Sequence, residues 1–226
     1  MMNSRTLALS VFFSACAMQA QTQPFVRVSG QGTISVKPDQ FKLSISVNTQ
    51  GATAQEASDM NATQTDAVIA KVTAVLGSTG ELRTIGYSVN PVYRANSNPP
   101  AIIAYSATNS LEVTCNNLAL AGRVIDTATQ AAVTTVSSLR FLIRDAEPTR
   151  LAAMKVATQQ ARIRADALAS GLNLRVGVIL SIEETSVALP SPIFRTGVAL
   201  APSATPIEPG TLDVSVSVTL EAAILN

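Results

Sequence analysis

VRVSGQGTISVKPDQFKLSISVNTQGATAQE, residues 26–56, sets the plan of this chain. From Phe41 the stretch alternates strictly, with Phe41, Leu43, Ile45 and Val47 on one side and Lys42, Ser44, Ser46 and Asn48 on the other. A period of two marks a strand with one buried and one wet face. Thr53 stands three residues before Glu56, the capping-box spacing that satisfies the orphan amide donors of a helix start. Upstream, the pattern reads as a short strand from Val26, a turn at Gly30-Gln31-Gly32, and a second short strand over 33–36 that breaks at Lys37-Pro38-Asp39.

The same rules carry the reading forward. A helix over 54–76 ends at Gly77, with Ala57, Met60, Val68, Val72 and Val75 as its apolar stripe and Asn61 and Gln64 at its edge. Ile85, Tyr87, Val89, Pro91 and Tyr93 then share a strand face, Pro91 marking a sheet edge or a bulge. Residues 96–100, rich in Asn and Pro, reverse the chain, and 103–115 returns as the second arm of a hairpin. Asn117 caps a helix over 118–131, and a strand over 134–143 follows, with Leu139, Phe141 and Ile143 inward. Counted from Phe41 the order is βαββαβ, a ferredoxin-like split unit. The fold class is therefore α+β: an antiparallel sheet with helices packed on one face, although other two-layer arrangements share this element order.

Pro148 opens a third helix running to about Ser170, with a stripe of Leu151, Met154, Ala157, Ala161, Ala165, Leu168 and Leu172. Strands over 176–183 and 212–220 complete the chain. Between them lies a loop over 186–210 whose Pro190, Pro192, Pro202, Pro206 and Pro209 oppose regular structure while Ile193, Phe194, Val198 and Leu200 stay apolar. A long greasy loop of this kind is expected to be an arm that packs on a neighbouring subunit.

Val28-Ser29-Gly30-Gln31-Gly32, the Val36-Lys37-Pro38-Asp39 break, and the Thr53-Ala54 helix start with Glu56 and Ala57 together resemble the opening of the SIMPL-domain family. The resemblance continues at Asn90-Pro91-Val92-Tyr93, at Ile103-Ala104-Tyr105-Ser106-Ala107-Thr108-Asn109, and at Pro206-Ile207-Glu208-Pro209-Gly210. The family usually carries glycine where this chain has Ala104. The family includes small periplasmic immunogenic antigens of Gram-negative bacteria and a eukaryotic relative that binds a receptor-associated kinase. The resemblance implies an envelope location, homo-oligomers of ring or channel form, association with the outer membrane and a link to oxidative stress. It brings no catalytic residues, no cofactor-binding residues and no metal ligands. The expected organisation is a leader over 1–20 and a SIMPL-like domain over 21–226. Its core spans about 33–145, and an extension over about 146–226 carries the proline-rich loop.

The leader is read from Met1, the cation Arg5, an apolar run over 7–17 and the small residues after it, which together form a secretory signal too short to span a membrane. Cleavage after Ala17 or Ala20 predicts a periplasmic or secreted protein. Alternatively Phe13-Ser14-Ala15-Cys16 is a lipobox, with Cys16 lipidated and the chain anchored to a membrane. The formal charge is +1, and removal of Arg5 makes cations and anions equal. A neutral chain lacks the basic stripe that nucleic acid requires.

The chain has no histidine and no tryptophan. That removes histidine-based triads and most transition-metal sites. Gly30-Gln31-Gly32 is no dinucleotide fingerprint, because Ser35 stands where the third glycine belongs. Glu183 and Glu184 are adjacent in a strand and point to opposite faces, so they make no acid–base pair. Asp145 and Glu147 are too few oxygens for calcium. Arg150, Lys155, Arg162 and Arg164 suggest a phosphate site at first sight, but Asp166 is interleaved and no glycine loop accompanies them. Only Cys115 remains after processing, so no internal disulfide is available. It alternates in phase with Leu111 and Val113 as a buried small hydrophobe, the other reading being a redox thiol.

One positive feature is a set of uncharged polar strand faces: Ser44, Ser46 and Asn48; Ser106, Thr108 and Ser110; Ser215, Ser217 and Thr219; with Thr84, Ser88 and Asn90. They either wet an exposed sheet or line a lumen or subunit contact. The expectation is a non-enzymatic exported protein that self-assembles through sheet and loop surfaces, without a cofactor. The alternatives are a monomeric periplasmic binding module and a hydrolase that works without histidine.

Overall fold

The computed structural model describes residues 23–96, 98–131, 133–193 and 207–226. The expected leader, and residues 194–206 of the expected loop, lie outside them.

Among the described residues, seven strands and three α-helices form an α+β fold with two antiparallel sheets. Strand β2 (Gln40–Gly51), helix α1 (Ala54–Leu76), strands β3 (Gly80–Tyr93) and β4 (Ile102–Cys115), helix α2 (Ala121–Gln130) and strand β5 (Thr135–Leu142) make the expected βαββαβ unit. A single turn of 3-10 helix, Leu118–Leu120, leads into α2 and is capped by Asn117. The sheet order is β3-β4-β2-β5, every neighbour antiparallel. α1 and α2 cover one face, where Phe41, Leu43, Ile45 and Val47 meet Val68, Val72, Leu111, Val113 and Val124 in one buried cluster. Each of these large side chains, fully withdrawn from water, contributes about 1.5–3 kcal/mol.

The cap of α1 matches its sequence. Thr53 Oγ1 accepts the Glu56 amide at 3.1 Å, and Gly77 closes the helix with φ of 54°, a left-handed value that suits glycine. Its buried stripe, however, is Ala57, Asn61, Thr65, Val68, Val72 and Leu76. Met60, expected inside, is 42% exposed, and Asn61, expected at the edge, is fully buried. The helix is turned so that the Asn61 amide reaches the sheet, where it donates to the carbonyls of Val47 and Ala107.

Strand β1 (Phe25–Val36) is continuous, so the expected turn at Gly30-Gln31-Gly32 is not there. It pairs along its whole length with β7 (Thr211–Leu225), which also pairs with β6 (Arg175–Ile193), giving a second sheet in the order β1-β7-β6. The two glycines serve close approach instead. A Cβ on Gly30 would stand 2.0 Å from the carbonyl oxygen of Ala157, and one on Gly32 2.0 Å from that of Ala153. Helix α3 (Glu147–Ser170) thus lies directly on β1, and only alanine fits between them. Its buried residues are Ala153, Ala157, Ala161, Ala165 and Ala169, while Leu151, Leu168 and Leu172 of the expected stripe are exposed. Side chains larger than alanine would lift the helix off the glycines.

Residues 186–193 also differ from expectation. They continue β6, paired with β7 from Ser186 opposite Ser217 to Ile193 opposite Thr211. Pro190 and Pro192 are tolerated because β6 is an edge strand whose register is repeatedly shifted.

The two sheets share one topology. β2, α1 and the β3–β4 hairpin place the last strand, β4, in the middle; β1, α3 and the β6–β7 hairpin place β7 there. The first unit, together with α2 and β5, is nested in sequence between β1 and α3 of the second.

Candidate interaction surfaces

Because α1 and α2 cover one face of the four-stranded sheet, its even-numbered β2 and β4 residues form the other face. Ser46 and Ser110 hydroxyls lie 3.3 Å apart, and the Asn48 amide donates to both Ser106 (2.9 Å) and Thr108 (2.8 Å). Ser88 stands opposite Thr108 and Asn90 opposite Ser106, extending the same face onto β3. Thr84 does not belong to it. It stands opposite buried Leu111, because a bulge between Thr84 and Gly86 reverses the alternation of β3. Ser215, Ser217 and Thr219 are also elsewhere, on the second sheet, where Thr33 meets Ser215 and Thr185 meets Thr219, each at 2.8 Å. The expected single hydroxyl face is therefore two faces on two sheets, because β7 pairs with β1 rather than with the core sheet.

Toward the start of β2 the face becomes ionic. Glu112 on β4 accepts from Lys42 on β2 (3.1 Å) and from Arg83 on β3 (2.6 Å), tying three strands together. The hydrogen bond from Arg83, then that from Lys42, holds the Glu112 carboxyl below its ordinary value, and Glu112 in turn raises Arg83. This triad escaped the sequence reading. The alternation of β2 and β4 puts Lys42 and Glu112 on outward faces, but which strand lies beside which is a non-local fact.

The β3–β4 hairpin outruns the sheet. β2 ends at Gly51 opposite Tyr105, while the hairpin continues through Val92 opposite Ala104 and Tyr93 opposite Ile102, and closes with the Arg94 amide on the Ala101 carbonyl at 2.8 Å. Ile85, Tyr87, Tyr93, Ile102 and Ile103 are all between 49% and 54% exposed. Neither 84–93 nor 102–111 contains a charged residue.

The remaining candidates disperse. Cys115 is buried, with Thr79 Oγ1 at 3.6 Å and the Asn117 amide donating to its sulfur at 3.4 Å. Arg150 is taken up by Glu147 and Glu184, both at 2.8 Å, Arg162 by Asp166, and Arg164 by the Ser29 carbonyl. The three arginines of the group already rejected as a phosphate site are thus split among separate partners. The hydrogen bond from Arg150 holds the Glu147 carboxyl below its ordinary value, and Glu147 first, then Glu184, raises Arg150. Asp145 accepts the Glu147 amide, which turns it to local capping. Glu183, Glu184, Glu221 and Arg27 border a hollow of about 510 Å³ on the second sheet. There Glu221 is held by Arg27 and Glu184 by Arg150. Among the described residues no cluster of three or more metal-ligating side chains occurs, and no helix is long and apolar enough to cross a membrane.

The sequence is similar to those of several known proteins. The chain is 31% identical over 221 residues to the 26 kDa periplasmic immunogenic protein of Brucella melitensis, covering 90% of this chain and 87% of that one. The namesake from Brucella abortus matches equally over the same shares. The uncharacterized protein YggE of Escherichia coli K12 is 25% identical over 205 residues, covering 86% and 81%. The family model SIMPL, protein of unknown function (DUF541), matches residues 26–222. With that match running from β1 into β7, the chain belongs to the SIMPL family.

Proposed function

We propose that this is a non-enzymatic protein of the bacterial envelope, exported to the periplasm, that works by assembling with copies of itself. The observation that carries the reading is the β3–β4 arm. Beyond the end of β2 it is a two-stranded ribbon with half-exposed Tyr93, Ile102 and Ile103, and its strands over 84–93 and 102–111 lack the charges that guard free strand edges. A ribbon of two strands is marginal by itself, and further strands or a covering surface stabilise it. The periplasmic name of the Brucella relative supports the location. Light scattering and sedimentation of the processed chain test the assembly: a particle of several copies is expected, and a clean monomer at micromolar concentration refutes it.

The hydroxyl face joined by Asn48 favours a second reading, a monomeric module binding an envelope partner across Ser46, Asn48, Ser106 and Thr108. A stoichiometric partner on a monomeric chain would support that alternative. Outer-membrane association and a link to oxidative stress rest on family resemblance. Membrane fractionation tests the first; peroxide survival of a strain lacking the chain tests the second.

A further inference from the structure

The four strands of the core sheet alternate in direction, so its two edges, β3 and β5, run oppositely. A second copy set beside the first, in the same orientation, therefore brings β5 against β3 and continues the antiparallel pattern. With no stagger between copies, the two ends of one row would meet. Arg140, Lys42, Thr114 and Glu81 occupy one row across the sheet, since Lys42 stands opposite both Arg140 and Thr114, and Thr114 opposite Glu81. One end of that row is a cation on the β5 edge, and the other is an anion on the β3 edge. Both ends are exposed, and among the described residues neither Arg140 nor Glu81 forms a salt bridge. On the helix side, Leu82 of β3 and Leu139 of β5 lie half-buried against the core at the two edges.

Resting on the assembly reading above, we propose that copies join head to tail, β3 of one beside β5 of the next, with Glu81 paired to the neighbour's arginine at position 140. Such a contact uses two different surfaces, so repeated addition closes into a ring or runs on as a filament. The β3 bulge after Thr84 and the left-handed Ser138 (φ 54°) keep the matching run short. A short run leans on the charge pair for its register.

The experiment uses the full processed chain, with assembly followed by sedimentation velocity across a dilution series and folding checked by circular dichroism. Glu81→Arg and Arg140→Glu each place like charges together, and each is expected to raise the half-assembly concentration by at least about tenfold. The double variant E81R/R140E restores opposite charges and is expected to assemble as the wild type does. Glu81→Gln and Arg140→Gln are expected to weaken assembly less, and they serve if a reversal fails to fold. Wild-type assembly that ignores both reversals overturns the proposal. So does sensitivity to E81R with none to R140E, which marks a β3-to-β3 contact, or a folded double variant that does not recover. A monomeric wild type overturns the assembly reading itself.

Discussion

Asn61 on α1 reaches across the helix–sheet interface and donates to the main-chain carbonyl of Val47 at 3.0 Å; the same amide nitrogen lies 3.1 Å from the Ala107 carbonyl. Thr65 adds a hydroxyl contact to its oxygen at 3.4 Å, and Thr49 hydrogen-bonds the Ala57 carbonyl nearby at 2.7 Å. A polar girdle thus ties the first turns of α1 to the strands where the aliphatic core thins.

Removing the Asn61 amide leaves two buried contacts unmade. Asn61→Ala is expected to cost about 1–3 kcal/mol, read as a lower urea midpoint with an unchanged slope. Asn61→Asp is expected to cost more, because a carboxylate is forced to face carbonyl oxygens without a donor. A variant as stable as the wild type would show that the clamp contributes nothing.

The glycines of β1 separate spatial from conformational roles. Gly30→Ala and Gly32→Ala push a methyl group against the α3 backbone and are expected to destabilise by about 1–3 kcal/mol. Gly86→Ala, whose nearest neighbour is the Ser110 Cβ at 3.9 Å, is expected to stay within about 0.5 kcal/mol. Thermal melts of the three variants check the contrast, and equal losses at all three positions would contradict it.

Glu112 makes stability depend on pH in a defined direction. Its carboxyl is held below the ordinary value of 4.5 by Arg83 first and Lys42 second. A lowered folded value means stabilisation that is complete above pH 4.5 and lost as the pH falls through the folded value. The stability gap between wild type and Glu112→Gln is therefore expected to be constant at neutral pH and to close below 4.5. Urea titrations at several pH values measure it, and a gap that widens on acidification would reverse the assignment.

Cys115 is expected to react with thiol reagents only as the chain unfolds, since it is fully buried between β2 and β3 at the base of β4. Labelling of the processed native chain at the rate of a free thiol would return it to the redox candidates.

Much of the secondary structure was legible because it is local. The bounds of α1, the cap at Thr53, the faces of β2 and the even-numbered buried face of β7 all follow from residues a few positions apart. Where local rules misled, a distant neighbour had overruled them. Gly30 and Gly32 look like a turn, yet they are spacers for alanines more than a hundred positions later. Asn61 looks like a helix-edge residue until the carbonyls of two strands are placed beneath it. Thr84 changes face through a bulge that only the pairing with β4 defines.

The sequence by itself determined the period of each segment, the class of the fold, the family and the absence of histidine chemistry. Tertiary structure alone decided that β1 joins β7 in a second sheet, that Glu112 sits between Lys42 and Arg83, and that Arg140 and Glu81 terminate one row. Side-chain alternation says which face of a strand is buried and says nothing of its neighbour. That choice is made by how whole elements pack after the chain has closed its long loops.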